Sequence, residues 1–197
     1  MNFEFAKELD KLIIKKKIEE AIEIAEEKLE TIPQSAFHKI LARGFAYQAD
    51  NLVCFIEDFY VSVKEELKIK SFYVEMNGFT INPDLWYVDV FALDRKGSID
   101  NLEWMNLKRE YSTVQNEFIL KGLEQVQTAF GVYMKNEGWK NKPQESAMEI
   151  CELLVILRLH ELFQVVYEKA KGQKKEWAKI PFFITAHDYD LIYQSRK

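Results

Sequence analysis

The run IKSFYVEMNGFTINPDLWYVDVFALD, residues 69–94, decides the fold, because the apolar period changes there from that of a helix to that of a strand. Within Lys70–Met76, Phe72, Val74 and Met76 alternate with Ser71, Tyr73 and Glu75, the pattern of a half-buried strand. Asn77-Gly78 and Asn82-Pro83-Asp84 supply turn chemistry. Leu85–Leu93 follows and is apolar on both faces, broken only by Asp89. An isolated hairpin is marginal in water, so this pair needs a third strand or a helical cover. Ile180–Ala186, rich in β-branched and aromatic residues, is the candidate third strand.

On the N-terminal side the apolar spacing is helical. Phe5, Leu9, Leu12 and Ile13 form one stripe, and Ile14, Ile18, Ala21, Ile22, Ala25 and Leu29 form the next, interrupted by Lys15-Lys16-Lys17. That slip fits either one long bent helix or two short helices that meet at the lysines. Pro33 ends the segment. Ser35 is placed to cap a further helix to about Tyr47, and Leu52, Phe55, Ile56, Phe59 and Val63 mark another after Asp50-Asn51. The stripes at Ile18–Leu29 and Leu52–Val63 align at an offset of 34 residues, which resembles the tetratricopeptide period. Leu9 would then face Arg43, and two units are fewer than such stacks need, so plain antiparallel hairpins are the reading kept.

On the C-terminal side two helices are expected. Ser112 with Gln115 has the form of a capping box ahead of a stripe from Val114 to Tyr133. Pro143 opens a second helix that runs to about Lys171, and its all-apolar Leu153–Leu157 marks it as central. No linker-like segment divides the chain. The expectation is one α+β domain over residues 1–197, with helical hairpins in 1–67 and a small antiparallel sheet (69–94 plus 180–186) covered by two long helices.

Composition narrows the function classes. The 197 residues are 48% hydrophobic with a formal charge of −5, a poor match for nucleic acid or an anionic membrane surface. Neither a secretory apolar region near the start nor a run long enough to span a bilayer is present, so a cytoplasmic protein is expected. Cys54 and Cys151 are far apart and lie among acids, which raise a thiol pKa; both read as structural. Seven glycines leave little material for phosphate-cradling loops, and no nucleotide, nucleophile-elbow or zinc motif occurs. Glu149 and Glu152 could share an ion, but His160 lies about 12 Å farther along the helix, so neither metal nor cofactor is expected. Arg158 is placed to pair with Glu161, and the lysines from Lys169 to Lys179 suit the negative end of a helix.

The segment Glu75–Glu103 is the unusual one. It carries six acids (Glu75, Asp84, Asp89, Asp94, Asp100, Glu103) against Arg95 and Lys96, interleaved with aromatic residues. Three readings compete: solubilising turn and edge charges, an acidic-aromatic face for a basic protein partner, and a catalytic carboxylate pocket. The leading one is a protein-binding module of the kind an inhibitor or immunity protein uses. Trp86 is its anchor, flanked on the same strand face by Asp84 and Asp94 and joined by Tyr189. The alternative is a hydrolase-like or small-molecule-binding pocket built from Asp89, His187 and Asp188, with Asp89 held by a donor such as Tyr73.

Overall fold

The apolar stripes and the period-two segment assemble as a helical layer over one face of a sheet, in a computed structural model that describes residues 3–106 and 111–196. The N-terminal slip resolves into two helices, α1 (Phe3–Ile14) and α2 (Ile18–Glu30), which pack against each other. The chain turns at the lysines, where Lys16 takes φ of 61° and its ammonium donates to the Ser195 carbonyl (2.8 Å). Beyond Pro33 the expected helix to Tyr47 is absent. Residues 36–40 and 46–48 form 3₁₀ turns instead. His38 fixes the first turn, since Nδ1 accepts from the Ser35 amide (3.1 Å) while Nε2 donates to the Leu29 carbonyl (3.0 Å). The tetratricopeptide-like spacing therefore links α2 to α3 (Ala49–Val63) without the intervening helix such a repeat requires.

The strand expectation holds for β1 (Ser71–Met76), β2 (Tyr87–Leu93) and the third strand. Pairing of β1 with β2 is antiparallel, from Ser71 opposite Leu93 to Met76 opposite Val88. The stretch 111–119 departs from its expected helix. It forms β3 (Tyr111–Ser112) and β4 (Phe118–Ile119), both hydrogen-bonded to β2. The physical reason is the outer edge of β2, whose buried backbone groups need partners. The Thr113 amide donates to the Val90 carbonyl (3.0 Å) and the Leu120 amide to that of Trp86 (2.8 Å). The helix, α4 (Glu124–Lys135), starts only after Gly122, whose φ of 104° turns the chain.

α5 (Lys142–Gly172) is the central helix, opened by Asn141, which accepts from the Gln144 amide (3.1 Å), and by Pro143. Leu153 to Leu157 are buried on every side between α2, α3 and the sheet. Crossing over by this helix returns the chain in the direction of β1. β5 (Phe182–Ala186) thus pairs parallel with β1, and β6 (Tyr193–Gln194) closes the edge antiparallel. The sheet is mixed, in the order β3-β2-β1-β5-β6 with β4 also paired to β2, and not the antiparallel sheet expected. Among the described residues no helix is long and apolar enough to cross a membrane.

One sheet face, with Phe72, Val74, Val88, Val90 and Ile184, packs into the helical core. The other is covered over half its length. Trp104 and Ile192 close on Tyr73, Phe91, Leu93 and Phe183, and Gly97 lies so close to the Phe183 ring that a Cβ there would be 2.5 Å away. Past Tyr73 and Phe91 this cover ends, and the same face turns polar at Glu75, Tyr87 and Asp89.

Candidate functional site

The uncovered half of that face is a cleft of about 340 Å³, bounded by Glu75, Asn77, Ile81, Tyr87, Asp89 and His187 among others. Register builds it. Strand alternation puts Glu75 and Asp89 on the face opposite Val74 and Val90, and the β1–β2 pairing sets them directly across from each other. Like charges so placed repel. Asn77 holds the hairpin mouth, its side chain donating to the Leu85 carbonyl (3.0 Å) and accepting from the Tyr87 amide (3.1 Å).

Asp89 is half-buried, and its carboxyl pKa is pushed up to about 6. Burial is the main cause, Glu117 and Glu75 add repulsion, and the Thr113 hydroxyl, donating at 3.4 Å, opposes the shift. Tyr73 is not its partner, since Tyr73 stands opposite Phe91 and stacks on that ring. His187 comes from the turn after β5. The His187 amide donates to the Met76 carbonyl (2.9 Å), and the Thr185 hydroxyl donates to the Tyr189 carbonyl (2.8 Å), which draws the turn tight. Within it Asp188 takes φ of 66°. The imidazole Nδ1 lies 2.7 Å from Glu75 Oε1, and Nε2 lies 3.6 Å from Asp188 Oδ1. Asp89 and His187 are therefore brought into one cleft, with Glu75 as the nearer carboxylate to His187 and Asp188 exposed at the rim.

The other expected recognition residues do not form one face. Trp86 is 1% exposed. Its indole donates to the Phe79 carbonyl (3.1 Å) and meets Phe45, Phe79 and Phe130 edge-on. Sharing a strand face with Val88 and Val90 places Trp86 toward the core, which rules it out as an exposed anchor. Asp84 and Asp94 are exposed, but at opposite ends of β2. Tyr189 is half-buried, stacked on Phe79 with centroids 5.6 Å apart, and its hydroxyl is engaged by Glu152 and Thr80. Buried Glu152 is raised to about 7, chiefly by burial.

Sequence reasoning missed Glu75 as a member of the cleft and Glu117 as a charge acting on Asp89. Glu75 becomes visible only through register, and Glu117 lay inside the expected helix. Exposed apolar side chains at the cleft are Ile81 and, beside it, Leu85. A second hollow, about 560 Å³ between α3 and β3, offers half-buried Phe55, Phe59 and Tyr111 next to Asp58 and Glu66. Among the described residues no three His, Cys, Asp or Glu side chains are grouped to hold a metal ion. No family model matches the chain, and no curated protein or solved structure shows a significant match to it.

Proposed function

We propose that the protein is a cytosolic binding module whose carboxylate cleft receives a basic side chain of a protein partner, as an inhibitor of a basic enzyme would. One observation carries this reading: Glu75 and Asp89 oppose each other across two strands, and both carboxylates line one open cleft. A guanidinium or ammonium placed there would relieve the repulsion and draw the raised Asp89 pKa back down. Ile81 and Leu85 supply apolar area at the rim in place of the buried Trp86. Affinity capture from a lysate of the source organism tests it. A basic partner retained by the chain should be lost with the Glu75→Gln/Asp89→Asn variant. Equal recovery on the variant would remove the cleft from the interface.

A second reading rests on the 2.7 Å contact between His187 and Glu75. A carboxylate-oriented imidazole beside an aspartate held near pH 6 is an acid–base pair suited to hydrolysis of a small substrate. Turnover of such a substrate, abolished by His187→Gln in a folded protein, would favour it over binding.

A further inference from the structure

At the other end of β5 the charge reverses. A hollow of about 620 Å³ is bounded by Tyr167, Lys171, Lys174, Lys175, Lys179 and Arg196, with no carboxylate among its described lining residues. These cations come from three places: the last turn of α5, the 3₁₀ turn at residues 176–179 with the residues leading into it, and the segment after β6. A helix C-terminus attracts cations, which accounts for Lys171. It does not account for Lys179, which lies beyond the helix, or for Arg196, which arrives from the end of the chain. Two of the five are partly neutralised, Lys175 by Glu57 at 3.4 Å and Lys171 by Glu168 at 3.7 Å. Among the described residues Lys174, Lys179 and Arg196 have no ion pair. The backbone also contributes, since Lys174 takes φ of 58° and Arg196 Nη1 donates to the Lys179 carbonyl (2.8 Å), which fixes the guanidinium at the rim.

We infer that this hollow is a binding site for a small anion carrying two or more phosphate groups. Its volume exceeds what a single phosphate fills and lies within the roughly 300–1,000 Å³ of small-ligand sites. Three unneutralised cations match the charge of a diphosphate, with Lys as point charges and Arg as a planar fork. The half-buried Tyr167 leaves ring surface on one wall for the organic part of such a ligand. The site is independent of the carboxylate cleft, for Lys179 precedes β5 and His187 follows it.

Calorimetric titration of the full chain with inorganic pyrophosphate tests the assignment. Binding is expected to weaken by about threefold or more between about 50 mM and 200 mM salt, as the exposed cations are screened. It should weaken by a similar factor in Lys174→Gln/Lys179→Gln, whose side chains are exposed and whose fold a thermal melt verifies. The charge-matched pair Lys15→Gln/Lys28→Gln, in the turn after α1 and on α2, should bind as the parent does. A second arm uses phosphatidylcholine vesicles containing a phosphatidylinositol bisphosphate, whose headgroup carries more than one phosphate. Sedimentation with these vesicles that is lost in the Lys174/Lys179 pair, without heat from pyrophosphate, would assign the same phosphate chemistry to a lipid headgroup. No binding to either probe, or binding reduced equally by both lysine pairs, would overturn the site.

Discussion

At the scale of single residues, one half-buried and two buried ionisable groups make stability depend on pH in opposite senses. Asp89 is held at about 6 against an unfolded value near 4, so the folded state binds the extra proton. Its contribution is full below pH 4 and is lost as pH rises through 6. Asp89→Asn should therefore stabilise the protein by about 1 kcal/mol at pH 8, after allowance for partial solvent screening, and by nothing at pH 4. Urea melts at the two values measure this. His160 runs the other way. It is fully buried, the carbonyls of Ile184 and Leu191 lie near it without completing hydrogen bonds, and burial lowers its pKa to about 3. The folded state then excludes a proton that the unfolded chain binds, so stability is intact above 6.5 and falls as pH drops toward 3. The slope is about 1.4 kcal/mol per pH unit, and His160→Leu should flatten it. Glu152, raised to about 7, behaves as Asp89 does one unit higher. Only variants resolve these overlapping titrations. Of the three, Asp89 was legible in the sequence as the one polar break in an apolar strand. The burial of Glu152 was not, because α5 is buried nearly all round and its faces carry no contrast.

At the scale of elements, the sequence indicated β1, β2 and β5 because each has a dense apolar pattern over at least five residues. Leu85–Leu93 was apolar on both faces for a reason now visible: helices cover one face and the Trp104 cover half of the other. Strands of two residues carry no period, so β3 and β4 were hidden inside an apparently helical stripe. The direction of β5 was hidden too, being set by the crossover through α5 and not by its own residues. Trp86 shows the cost of reading a strand face without knowing which side is solvent. Its replacement by alanine should lower stability by about 3–5 kcal/mol in urea denaturation, the magnitude for emptying a buried aromatic site, and not act as a specific loss of binding. Gly97→Ala tests the Trp104 cover. The added methyl meets the Phe183 ring, and a loss of about 1–3 kcal/mol is expected. A neutral result would mean that the 97–106 segment does not press on the sheet.

For the whole molecule, the net charge of −5 conceals an uneven distribution. Carboxylates gather where β5 ends and lysines gather where it begins, so opposite charges are presented at two ends of one strand. The carboxylate cleft exists because register sets Glu75 against Asp89 and because the cover over the sheet stops at Tyr73. The proposed recognition of a basic group rests on these two carboxylates being held face to face. The most direct test is a two-dimensional NMR titration of the labelled chain with a short arginine-rich peptide, repeated on Glu75→Gln/Asp89→Asn. Shifts confined to Glu75, Asn77, Asp89 and His187, weakened by salt and abolished in the double variant, are expected. Shifts spread over all acidic surfaces, or unchanged in the variant, would contradict recognition of a basic group by this cleft.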